Sequence, residues 1–220
     1  MLEWVLSIGI IADLILKKLA SSMRTKTQIK KREILLKALE CFIKHGVEKT
    51  SVQMICESSN TSVGSLYHHF GNKEAIAAEV YIEGMRDFWE TTLSYLQKDC
   101  DPKCAEQLIK RLVYVNVDWI SRHKNWAYYI FQNRSVVHTK EQKKILFDVS
   151  VHGYQYLEEQ FQKAKYQGEI KALPSQLYVS IIIGPVHDYA RHYLSGRYKK
   201  SLKAYKEDFA NAAWLGVKAN

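Results

Sequence analysis

The chain has 220 residues, of which 47% are apolar, and a formal charge of +9. That apolar share excludes a chain disordered throughout, and three prolines and ten glycines are too few for a collagen-like or loop-dominated protein. The positive balance makes a polyanion a natural partner, because Lys and Arg that neutralise phosphates release condensed counterions.

The first 22 residues are atypical. Leu2 to Leu19 is rich in Leu, Ile and Val, but Glu3, Gly9 and Asp13 interrupt a run already shorter than the about 20 apolar residues of a membrane span. Lys17 and Lys18 follow the apolar run, whereas a signal peptide leads with its basic residues. Residues 1–22 are therefore read as an over-extended reading frame or an added amphipathic helix, with Met23 as the natural start and no membrane partner. Four cysteines, Cys41, Cys56, Cys100 and Cys104, show no CxxC spacing. Cys41 and Cys56 fall on apolar faces, where a thiol packs as a small hydrophobe; Cys100 and Cys104 flank Pro102 and are read as an inert pair, with a redox switch as the alternative. Neither a metal nor a cofactor is expected.

After a basic lead-in from Met23, Ile34, Ala38 and Phe42 keep a spacing of four, as do Leu35, Leu39 and Ile43, which predicts an amphipathic helix ended by Gly46. Thr50 with Gln53 fits the capping-box spacing for a short second helix from about Ser51, whose apolar face is Met54 and Ile55. Ser58 to Thr61 is a polar break in which Asn60 is best suited to a positive φ. Ser62 is a good N-cap for a third helix, Val63 to His69, that buries Leu66 and Phe70 and turns Ser62, Ser65, Tyr67, His68 and His69 outward. Gly71 ends it, and Asn72 caps a long fourth helix through Leu96. Further helices are expected at about 103–122, 124–132, 140–166, 175–194 and 202–217, with breaks at Asp101-Pro102, Gly168, Leu173-Pro174 and Ser195-Gly196. The fold class is all-α.

Thr50 to Phe70, with its Val-Gly-Ser-Leu-Tyr-His-His-Phe core and the following Gly-Asn-Lys-Glu-Ala-Ile, closely resembles the signature of the TetR (tetracycline repressor) family. The resemblance covers about fifty residues and departs at Asn60-Thr61, where the family has Gly-Val; Asn tolerates the same backbone conformation, while Thr61 fills the aliphatic position less well. It implies a DNA-binding domain over 23–73, with its helix-turn-helix at 51–70, and a helical effector-binding and dimerisation domain over 74–220. The residues agree with this on separate grounds. A short helix with a small polar face fits a major groove, and Gly64 weakens its own helix by about 1 kcal/mol, a cost that makes sense if the backbone must approach DNA. Lys73 sits against the positive end of a helix dipole, an unfavourable place for a cation unless a phosphate docks there. By resemblance Thr50, Tyr67 and Lys73 anchor phosphates, while Gln53, Ser62, Val63, Gly64, Ser65 and His68 face the groove; Ser51 and His69 complete the expected DNA-binding set. From Met23 to Asn72 eight Lys or Arg stand against four Glu, a balance of +4.

The resemblance also implies a homodimer through the last two long helices, reading a palindromic operator in double-stranded DNA. Val179, Ile182, Ile183, Val186, Tyr189 and Tyr193 on the first of these, and Ala204, Phe209, Ala212 and Trp214 on the second, are apolar enough for it; burial inside one subunit is the alternative. Phe88, Trp89, Trp119, Trp126, Tyr128, Tyr129, Phe131 and Tyr154 are expected to line a cavity for a hydrophobic or aromatic small-molecule effector, and plain core is the competing reading. The expected function is a cytoplasmic, ligand-responsive transcription regulator, a repressor released from its operator by the effector, with an activator as the alternative. A helical enzyme is a weaker alternative, since HExxH, GxSxG and phosphate-binding glycine loops are missing and His187, Asp188 and His192 read best as structural. A membrane-surface protein anchored by residues 1–22 is weaker still.

Overall fold

A computed structural model describes residues 26–97 and 104–219. The N-terminal extension, Met23 to Thr25, Cys100 and the Asp101-Pro102 break lie outside the described residues, and the rest of the basic lead-in, from Lys26, belongs to the first helix.

Helix α1 (Lys26–His45) buries Ile34, Leu35, Ala38, Leu39 and Phe42, the stripe that its spacing predicts. Gly46 ends it with φ of 79° and returns its N–H to the Phe42 carbonyl at 2.9 Å. Helices α2 (Val52–Ser59) and α3 (Val63–Phe70) then fold over α1, and Ile34, Ile55, Leu66 and Ile76 are each fully buried where the three meet the start of α4 (Lys73–Gln97). Asn60 joins α2 to α3 at φ 48°, and Asn72 Oδ1 accepts the Ala75 N–H at 2.7 Å to cap α4.

One local expectation is corrected. Ser51, not Thr50, is the N-cap of α2: its hydroxyl accepts the Met54 N–H at 3.2 Å, and the Met54 sulfur accepts the Ser51 N–H at 3.4 Å. The Thr50 hydroxyl is already committed backwards, donating to the Gly46 carbonyl at 2.7 Å and facing the Cys41 carbonyl at 3.3 Å. The Gly46 carbonyl also accepts the Thr50 N–H at 3.2 Å, so Thr50 is bound into the turn that ends α1 and the following helix begins one residue later.

The remaining helices are α5 (Ala105–Arg122), α6 (Lys124–Gln132), α7 (Lys140–Tyr166), α8 (Ser175–Leu194) and α9 (Lys206–Val217). α5 is the central one: Leu108, Ile109, Leu112, Val113, Val115, Asn116, Val117, Trp119 and Ile120 are buried on several of its sides, as expected of a helix enclosed by neighbours. The expected single helix over 202–217 is a 3₁₀ turn, Leu202–Tyr205, followed by α9; Ser201 caps the turn, and Tyr205 leaves helical geometry at φ −114°. On α8, Ile182, Ile183 and Val186 are buried within the subunit, so this part of the face assigned to dimerisation follows the alternative reading, while Leu177 at 45% and Val179 at 37% remain exposed. Phe209 and Trp214 of α9 also pack partly against the core, and Leu215 is 58% exposed.

Gly153 of α7 is where Trp89 of α4 fits, because a Cβ there would lie 2.1 Å from the Trp89 ring. Gly153→Ala is expected to destabilise by about 1 to 2 kcal/mol: overpacking costs about 1 to 3 and the better helix former returns at most about 1. Gly64→Ala, whose Cβ would meet nothing within 4 Å, is expected to stabilise the fold slightly. Urea denaturation of the pair checks this, and equal effects at the two sites would refute it.

Candidate nucleic-acid interface

Helix α3 is presented with both ends closed. The Ser62 hydroxyl accepts the Ser65 N–H at 3.2 Å, and Gly71 returns its N–H to the Tyr67 carbonyl at 2.8 Å. Leu66 and Phe70 hold one side in the core, and this burial rotates Ser62, Val63, Gly64, Tyr67 and His68 into solvent. Val63 is 40% and Tyr67 47% exposed. Ser65 is half-buried, as is His69, whose ring lies between His68 at 5.5 Å and Phe70 at 6.1 Å.

Around this helix Ser51 and Gln53 are exposed at the start of α2, where Gln53 donates to Glu57 at 3.0 Å. Lys73 begins α4 and reaches across to the α1–α2 loop, its Nζ donating to the Glu48 carbonyl at 3.0 Å. Thr50 is the exception in the set: at 1% exposure, with its hydroxyl turned inward, its side chain braces the α1–α2 turn and is not placed to meet a phosphate. Of the other ten, Ser51, Gln53, Ser62, Val63, Gly64, Tyr67 and His68 are exposed, and Ser65, His69 and Lys73 are half-buried.

Residues that carried no motif tie this unit to the rest of the chain. Arg32 of α1 pairs with Glu83 at 3.3 Å and Asp87 at 3.2 Å on α4, and Lys31 pairs with Glu79 at 2.6 Å. Asp87 also accepts the Trp119 indole N–H from α5 at 2.9 Å and lies 3.8 Å from the His123 ring nitrogen. Tyr129 of α6 stacks on Phe42 of α1 and donates to the Ala77 carbonyl of α4 at 2.9 Å. Only the i to i+4 recurrence of Arg/Lys against Glu/Asp along two helices could have signalled these pairs.

The eight aromatics expected to line one cavity are spread among several places. Phe88 packs against Trp89 and Trp119 at 5.4 and 5.3 Å, and Trp89 meets Tyr154 at 4.8 Å, so these four are brought together; Trp126 covers Gly84; Tyr129 belongs to the joint with α1; and Phe131 lies 5.2 Å from the His187 ring. Tyr154 faces a groove of about 670 Å³ between α7 and α8, with Leu157, Phe161 and Val179, while Tyr128 faces another beside α1. Aromatic spacing on a helix gives a face but not a neighbour, and most of these faces meet other helices. His187, Asp188 and His192 also diverge: His187 bonds Asn116, Asp188 pairs with Arg191, and His192 packs on Tyr198. Among the described residues no group of three or more His, Cys, Asp or Glu could hold a metal, and no helix is long and apolar enough to cross a membrane.

Residues 34–80, the part of the chain that builds this surface, match the family described as bacterial regulatory proteins, tetR family. Over that stretch the chain carries a DNA-binding domain of the TetR type. It is 37% identical over 62 residues to the HTH-type transcriptional regulator UidR of Escherichia coli K12, an alignment spanning 28% of this chain and 32% of that protein. It is also 31% identical over 97 residues to the probable acrEF/envCD operon repressor of the same organism, spanning 42% of this chain and 44% of the other. The chain thus matches about a third to under half the length of these curated relatives. The TetR fold extends further: a TetR family transcription regulator from Marinobacter aquaeolei VT8 superposes with a TM-score of 0.73 at 18% identity, over 90% of this chain and all of that one. FadR from Bacillus subtilis in complex with stearoyl-CoA gives 0.70 at 19% identity, over 84% of this chain and 98% of that one. The 97-residue alignment runs past residues 34–80, and over the remainder of the chain the likeness is one of fold.

Proposed function

We propose that the protein is a ligand-responsive, sequence-specific DNA-binding transcription regulator, and a repressor released from its operator by a small apolar effector. The observation that carries the reading is α3: a short helix closed at both ends, held by Leu66 and Phe70, with Tyr67, His68 and the bare Gly64 backbone free to enter a major groove. Ser62, Val63, Gly64, Ser65 and His68 would face base edges; Tyr67 and Lys73 would take phosphates, with Ser51, Gln53 and His69 at the margin. Lys73 is held near the surface by the Glu48 carbonyl, ready for a phosphate at the α4 N-terminus. Such a protein acts in the cytoplasm, on double-stranded DNA.

The effector is an apolar molecule, for which the α7–α8 groove beside Tyr154 has the size and lining. The acyl-CoA in the FadR relative supports that class without naming the compound. Dimerisation through α8 and α9 would pair two recognition helices on a palindrome, about 34 Å or one helical turn apart; the exposed Leu177, Val179 and Leu215 favour those helices. Selection of genomic fragments with purified protein, followed by anisotropy titration across salt concentrations, tests the whole reading. A palindrome should emerge, and Lys73→Ala should weaken binding to all sequences alike and reduce the slope of log K against log salt by about 1. Equal, weak binding to every fragment would reject sequence-specific recognition.

A further inference from the structure

Three parts of the chain far apart in sequence meet in a groove of about 630 Å³ beside α1. Ile43 comes from α1, Lys124 and Tyr128 from α6, and Tyr193, Tyr198 and Lys199 from the end of α8 and the loop after it; no carboxylate lines it. The groove lies at the start of α6, a nine-residue helix whose N-cap His123 makes no side-chain cap bond and whose first turn has no acid. Its first residue is instead Lys124, a cation set against the positive end of the helix dipole. Lys124 Nζ donates to the Tyr193 hydroxyl at 3.2 Å and stands 5.4 Å from that ring's centroid, a contact that holds the Tyr193 phenol below its ordinary value. Between Asp188 and Glu207 the chain carries six Lys or Arg and no acid, and two of the six, Arg191 and Lys206, are paired with Asp188 and Asp118. A positive field, an uncapped helix start and three tyrosine rings therefore share one concave surface with nothing of opposite charge among its lining residues.

We propose that this groove is a second ligand site, distinct from the α7–α8 groove, and that it takes a small organic anion with a planar apolar body. The carboxylate or phosphate sits at the α6 N-terminus within reach of Lys124 and Lys199, where helix dipole and ammonium groups both favour it. The body lies against Tyr128, Tyr193 and Tyr198. The α7–α8 groove has the opposite character, with Glu158 and Glu159 on its rim. Because Ile43 belongs to α1, an occupant touches the DNA-binding unit directly as well as α6 and α8.

The test is calorimetric titration of the full chain with 2-naphthoate and 2-naphthyl phosphate, against 2-naphthylmethylamine as the cationic counterpart. Both anions are expected to bind and the amine not; Lys124→Gln and Lys199→Gln should each weaken the anions about fivefold or more, while Glu159→Gln leaves them unchanged. Both lysines are exposed, so the variants should unfold at the wild-type temperature. Equal binding of amine and anion, indifference to both lysine variants, or no heat at millimolar ligand would overturn the proposal. The binding does not depend on the regulatory reading; its effect on DNA does, and repeating the anisotropy titration with bound naphthoate separates the two. An unchanged DNA affinity would remove the coupling to α1 and leave the site.

Discussion

Tyr129→Ala is expected to lower the unfolding free energy by about 3 to 5 kcal/mol, the range for removing a buried aromatic ring. Tyr129 is 1% exposed, stacks on Phe42 at a ring separation of 5.8 Å, and donates to the Ala77 carbonyl at 2.9 Å. It is thus the one side chain described above that touches α1, α4 and the core of α6 together, and burial raises its phenol pKa as expected of a hydroxyl kept neutral. Tyr129→Phe should cost only about 1 kcal/mol, because Ala77 lies within α4 and its carbonyl keeps a helical partner. The two variants therefore separate ring from hydroxyl. Urea denaturation should show a large shift of midpoint for the first and a small one for the second. A Tyr129→Ala midpoint near the wild type would mean that α1 is held by its apolar stripe and ion pairs without need of this ring.

The second large effect concerns pH. His187 is enclosed by α5 and α6, with Nε2 3.2 Å from Asn116 Oδ1 and the Phe131 ring 5.2 Å away, while Arg134 and Arg191 are the charges it feels. Desolvation first, then these two cations, push its pKa down to about 4. The unfolded chain takes the proton near 6.5, so the native state keeps this contribution in full above that value and loses it as pH falls through the window from about 6.5 to about 4. One proton over that interval amounts to as much as about 3 kcal/mol. His187→Gln keeps a donor for Asn116 and removes the titration, so the stability difference between variant and wild type should move in the variant's favour as pH falls through the window. Parallel pH curves for the two proteins would show that the imidazole is hydrated, not enclosed.

Where a helix begins and ends was largely legible in the sequence, because those signals are local: Gly46 and Asn60 take the positive φ that their types favour, and Ser62 and Asn72 cap as their hydroxyl and amide allow. Thr50 shows where local reading stops. Its hydroxyl could cap forward or bond back to Gly46, the two options use the same residue types, and only the packed end of α1 decides between them. The split at Tyr205 has no glycine or proline to announce it. Side-chain partners were the least legible part. Ile182, Ile183 and Val186 read equally well as a surface for another subunit or as core, and the Arg32, Glu83 and Asp87 set is brought together only by the crossing of α1 and α4. The groove beside α6 was hidden for the same reason, since Ile43, Lys124 and Lys199 are neighbours in space alone.

The pairing of Arg32 with Glu83 and Asp87 joins α1 to the middle of α4, so a tilt of α4 would act on the DNA-binding unit. Helix α4 has 25 residues, which at about 1.5 Å each makes a rod about 37 Å long. Tilting it by only about 5° around its Gln97 end carries Lys73 through about 3 Å, and two such rods in the proposed dimer change the spacing of their tips by about 6 Å. That is half the width of a major groove, about 12 Å. A displacement too small to disturb the packing around Trp89 would thereby be magnified, by length alone, into a mismatch on the proposed operator.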